Sequence, residues 1–108
     1  MCQFKKEIKE LFGYWPKFCD GRITDYQNTG DNLNLQIDYI DSDQDIRAVI
    51  TITFIGITNQ ELSTYEPNSV VDELSITPGS KYKVQIDSCF GLSGIFNCQS
   101  IQVNHVNA

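Results

Sequence analysis

Leu33, Leu35, Ile37 and Tyr39 occupy every second position of NLNLQIDYI, with Asn34, Gln36 and Asp38 between them. No other stretch constrains the fold as tightly. A period of two puts the four apolar side chains on one face of a strand, whereas a helix would scatter them around its axis. DSDQD at 41–45 reads as a turn, and IRAVITITFIGI follows. There Ile46, Ala48, Ile50, Ile52 and Phe54 share one face. Thr51 and Thr53 lie opposite, with Val49 and Ile55 among them, which predicts a central strand covered on both sides. Residues 33–54 thus read as a β-hairpin with a polar tip.

The same period extends on either side. GRITDYQ at 21–27 predicts a first strand and NTGDN at 28–32 a turn. The polar TNQELSTYEPNS, with Pro67, reads as a connection with room for a short irregular edge segment. VVDELSIT at 70–77 fits either one helical turn or a strand. TPGS at 77–80 is a strong turn signal, and KYKVQID alternates again. SCFGLSG at 88–94 predicts a sharp change of direction, with Gly91 and Gly94 as turn glycines. IFNCQSIQVNHV at 95–106 predicts one last strand whose phase slips near Gln99–Ser100, the mark of a β-bulge.

Only the N-terminus is helical in period. Phe4, Ile8, Leu11 and Phe12 recur at helical spacing in residues 3–12, and Gly13 and Pro16 stop the run. The expectation is an α+β fold: one short N-terminal helix packed on a mainly antiparallel β-sheet, or a sandwich-like set, of about six or seven strands. At 108 residues this fits a single domain spanning 1–108.

Apolar residues make up 41% of the chain, too many for a disordered one. No apolar run reaches the ~18 residues of a membrane span. The N-terminus lacks the apolar core of a signal peptide, so the expected compartment is the cytoplasm. Cys2, Cys19, Cys89 and Cys98 show no metal-ligand spacing and read as free thiols. A Cys89–Cys98 bridge would fit only a secreted chain. Residues 23–108 carry three basic and eleven acidic groups. A body this acidic repels phosphate backbones, which argues against nucleic acid, and it attracts a basic protein.

Few residues are equipped for catalysis. The sole histidine, His105, sits near the end of the sequence, a poor place for a general base. Asp41, Asp43 and Asp45 mimic the start of a calcium loop, but Ile46 and Ile52 stand where such a loop needs glycine and glutamate. No cofactor motif is present. The densest feature is FGYWPKF at 12–18, with four aromatics in seven residues. They can lock a helix onto a sheet, with Trp15 and Phe18 capping one end of the core. The competing reading is a small-molecule or glycan site that stacks ligand on Tyr14, Trp15 or Tyr26.

FGYWPKFCD at 12–20 resembles the N-terminal motif of the bacterial immunity protein 50 family, a pattern close to F-G-x-W-P-S-F-H-D-A-E. Phe12, Gly13, Trp15, Pro16, Phe18 and Asp20 match it. Cys19 replaces the histidine, Gly21 the alanine and Arg22 the glutamate. NSVVDELSI and GLSGIFNCQSIQV are similar to later strands of that family. The resemblance implies a non-catalytic antidote of a polymorphic toxin system. Such a protein needs no cofactor or metal, binds its cognate toxin domain and touches neither nucleic acid nor membrane. Charge places the contact surface on the acidic hairpin, at Asp38, Asp41, Asp43 and Asp45, and expects a basic toxin.

Overall fold

The computed structural model describes residues 18–107 together with Lys9, Gly13, Tyr14 and Pro16, and for 104–107 the backbone alone. The described chain is all-β. Its eight strands are β1 (Arg22–Asn28), β2 (Asn32–Asp41), β3 (Ile46–Ile55), β4 (Thr58–Leu62), β5 (Ser69–Thr77), β6 (Tyr82–Phe90), β7 (Gly94–Cys98) and β8 (Ser100–Asn107). They form one antiparallel sheet in the order β4-β7-β6-β5-β1-β2-β3-β8. Among the described residues no helix is long and apolar enough to cross a membrane.

This corrects the α+β expectation. Of the anticipated helix at 3–12 only Lys9 is among the described residues, and the other helical candidate, VVDELSIT, is β5. β6 pairs that segment from Val70 to Thr77 and β1 joins its start at Ser69 and Val70, so the ladder with β6 takes its backbone groups and no helical turn forms. Two further strands raise the count to eight. The polar TNQEL is β4, an irregular edge strand with a register shift between Thr58 and Glu61. The stretch 95–106 is two strands.

That second difference shapes the molecule. Gln99 alone separates β7 from β8, and only Gly56 and Ile57 separate β3 from β4. Yet β3 and β8 lie at one end of the strand order, β4 and β7 at the other. The sheet must therefore fold back on itself. β3 continues into β4, and β7 into β8, around a shared corner of the kind that lets strands switch layers. The Gln99 amide donates to the Ile55 carbonyl at 2.8 Å and the Ile57 amide to the Asp31 carbonyl at 2.8 Å, fixing that corner. The phase slip at Gln99–Ser100 is this change of pairing partner rather than a bulge.

Folding the sheet brings its apolar faces together. Leu33, Leu35, Ile37 and Tyr39 of β2 and Ala48, Ile50, Ile52 and Phe54 of β3 are buried, as their period requires. Phe54 meets Phe96 of β7 edge-on, with ring centroids 5.1 Å apart. Val71, Leu74, Val84 and Ile86 complete the core from β5 and β6. Buried Ser69 ties the loop after β6 to the start of β5. Its hydroxyl donates to the Glu66 carbonyl at 2.6 Å and accepts from the Leu92 amide at 3.0 Å.

The half made of β1, β2, β3 and β8 meets the half made of β5, β6, β7 and β4 at a narrow seam. Only Arg22–Val70 and Ile23–Ser69 pair across it. Bonds from the Asp20 amide to the Val71 carbonyl (2.7 Å) and from the Val71 amide to the Gly21 carbonyl (2.8 Å) lengthen it.

Candidate functional site

Phe18, the last aromatic of the motif, closes one end of this core. Phe18 is fully buried and packs edge-on against Tyr39, with centroids 5.5 Å apart. Its φ of +59° and that of Asp20, +65°, turn the chain into β1. Pro16 is buried, while Trp15 and Phe12 lie outside the described residues. Gly13 and Tyr14 are exposed. The Tyr14 hydroxyl donates to Asp41 Oδ2 at 2.8 Å and sits against Tyr39, so the motif is tied to the far end of β2. Those two partners push the phenol well above its ordinary range.

The four hairpin aspartates are placed very differently. Asp41 is buried, and its carboxylate accepts from the Gln44 side chain (2.7 Å), Tyr14 (2.8 Å) and the backbone amides of Asp43 (3.1 Å) and Gln44 (3.4 Å). It organises the turn from within. Asp38 on the outer face of β2 takes a two-point contact from Arg47, Nε at 3.1 Å and Nη2 at 2.7 Å. Asp43 and Asp45 stand exposed at the tip. Among the described residues no three His, Cys, Asp or Glu side chains are grouped as metal ligands.

The Gln44 and Tyr14 bonds hold the Asp41 carboxyl below the usual carboxylate range, and Arg47 does the same for Asp38. Folded, each group binds its proton more weakly than it does unfolded. Their stabilisation is complete above the unfolded value of about pH 4 and drains away as pH falls through the folded values. Carboxyl NMR titration is expected to show Asp41 rising toward the ordinary value in Gln44→Ala, and by a smaller step in Tyr14→Phe. Acid unfolding of both variants should begin at higher pH than in the parent.

The outer face of β1, β2 and β3 holds a cleft of about 430 Å³ lined by Asp20, Arg22, Asp38, Ile40, Ser42 and Arg47. Ile40, 54% exposed, projects there beside the Asp38–Arg47 pair. Asp20 and Arg22, the polar end of the motif segment, complete the wall. Neither Ile40 nor the Arg22 environment was visible in the sequence, because an outward isoleucine at a strand end looks like any alternation error. A second hollow of about 510 Å³ lies on the other half of the sheet, among Asn59, Gln60, Glu61, Lys83 and Asn97.

Of the three aromatics of the stacking reading, Trp15 lies outside the described residues and Tyr14 and Tyr26 are not brought together. Tyr26 stacks on Tyr65 at 4.8 Å and pairs with Leu35, whereas Tyr14 reaches Asp41. The two tyrosines thus engage points roughly 20 Å apart along β2. Cys19, Cys89 and Cys98 are free thiols, and burial pushes the Cys98 thiol up to about 11. The backbone of His105 pairs with Thr51.

No curated protein and no solved structure matches the chain. A family model does, that of immunity protein 50, and it covers residues 5–108. With nearly the whole length matched, including the motif to which Phe18 belongs, the chain belongs to the immunity protein 50 family.

Proposed function

We propose that the protein neutralises a cognate bacterial toxin domain in the cytoplasm by tight binding, without catalysis, and that the toxin docks on the hairpin end of the β1–β2–β3 face. The observation that carries this reading, beside the family, is the Ile40 cleft. An exposed aliphatic side chain sits within a ring of paired and unpaired charges, the layout of an interface core with a polar rim. Asp43 and Asp45, projecting beyond it, supply the steering charge for a basic partner. Asp38 holds Arg47 in place on the cleft wall, and Asp41 acts one step back as a positioning residue that keeps the tip folded.

The direct test is co-expression with toxin domains taken from genes neighbouring the one for this chain. Growth of the host should be restored, and the two proteins should purify as a complex. If the toxin kills at full strength in the presence of folded protein, the reading fails. In the double variant Asp43→Asn/Asp45→Asn, association is expected to slow about 3–10-fold and to lose much of its salt dependence, with dissociation unchanged.

A further inference from the structure

We infer that the docking surface extends across the seam to Phe90, and that the toxin presents a carboxylate to Arg22 between two apolar recesses that receive Ile40 and Phe90. The inference rests on the immunity reading above and names the chemistry of the partner's contact surface.

The register fixes the geometry. Val70 pairs with Arg22 and Arg22 with Asp38, so these three side chains stand in one row on the outer face of β5, β1 and β2. A register shift between Val70 and Val71 leaves Cys89 and Phe90 of β6 both opposite Val70, which carries the exposed Phe90 to the end of that row although it is in phase with buried Val84 and Ile86. Val71, Ile23 and Ile37, the neighbours of Val70, Arg22 and Asp38, are buried on the opposite face, which sets the outward direction of those three. Ile40 lies two residues beyond Asp38 on β2. At strand spacings, Ile40 and Phe90 are roughly 16 Å apart with Arg22 between them. That span is the size of the desolvated centre of an ordinary protein–protein interface.

Burial and charge distinguish this patch. Ile40 is 54% exposed and Phe90 53%, and with Tyr14 they are the exposed large apolar residues of the described chain. Single exposed apolar residues need no explanation, but two on one face flanking an arginine form a composite anchor set. The acid opposite Arg22 in register is Asp38, and Arg47 already holds both of its oxygens. Among the described residues Arg22 makes no ion pair within 4 Å; its charge helps keep Asp38 ionised from a distance, and its exposed guanidinium has a fork of donors to offer a partner. A planar carboxylate satisfies such a fork in two-point fashion, which a basic side chain cannot do. The partner is therefore basic where Asp43 and Asp45 steer it and acidic where it seats.

The test measures affinity for a catalytically inactivated toxin domain, the same one used for growth rescue. Arg22→Glu is expected to weaken binding about 100-fold, and Ile40→Ala and Phe90→Ala about 10-fold each. Lys83→Glu makes the same charge change on the other half of the sheet and should stay within about threefold. All four side chains are exposed or half-buried, so thermal midpoints should match the parent and separate lost contact from lost fold. A Lys substitution of the matching toxin carboxylate should recover binding to Arg22→Glu. If the parent neutralises the toxin while Arg22→Glu and Phe90→Ala bind within threefold of it, this inference is overturned and the immunity reading stands. If the parent itself does not bind, both fall.

Discussion

The Gly94→Ala substitution is expected to lower stability by about 4 kcal/mol or more, with a fall in thermal midpoint of roughly 15–30 °C. Gly94 opens β7 and is paired on both sides, with Leu62 of β4 and Ile86 of β6. Its φ of +150° is one that only glycine adopts without strain. A Cβ there would lie 2.1 Å from the Glu61 carbonyl oxygen and 2.8 Å from the Leu62 Cα. Both are backbone atoms, so no side chain can swing aside and β4 must leave β7. Gly30→Ala is the matched control. Its φ is also positive, at +95°, but nothing lies within 4 Å of the added carbon, so only backbone strain of about 1–2 kcal/mol is expected. Parallel thermal melts check the pair, and similar losses in both would refute the clash argument.

Phe54→Ala should cost about 3–5 kcal/mol in urea unfolding. Phe54 is fully buried, pairs with Leu33 and Ile101, and its edge contact with Phe96 joins the two halves of the folded sheet. Truncation removes the aromatic pair and leaves a void at the place where the halves meet. Phe54→Leu keeps most of the volume and should cost about 1.5 kcal/mol or less. A loss for Phe54→Ala below about 1 kcal/mol would mean that the corner is held by its amide bonds alone.

The legible and illegible parts of the fold divide along physical lines. β2 and β3 pair without a slip over their whole length, so their period was intact and their buried residues followed from it. β5 was ambiguous because register shifts beside Val70, Val71 and Glu73 break its alternation. β4 reads in the sequence only as room for an irregular edge segment, because an edge strand buries little and so stays polar. The corner at Gln99 leaves the same trace in a sequence as a bulge does, because both interrupt the phase by one residue. The proposed surface is only partly legible in the sequence. Charge pointed to the β2–β3 hairpin, and Asp43 and Asp45 are exposed there. Sequence cannot tell an aspartate that faces water from one turned into its own loop, as Asp41 is. Nor could it place Phe90 beside Arg22, because that neighbourhood exists only through two long-range strand pairings.

The narrow joint between β1 and β5 gives the proposed docking a second consequence. With two residue pairs across it, this is the line along which the sheet parts most readily. Phe90 and Val70 stand on one bank, Arg22 and Ile40 on the other. A toxin docked as proposed would rest on both, act as a clamp and draw the population toward the shut form by mass action. The inhibitor would then outlast heat and proteases best while occupied, so that spare, unoccupied copies are the ones a cell clears first.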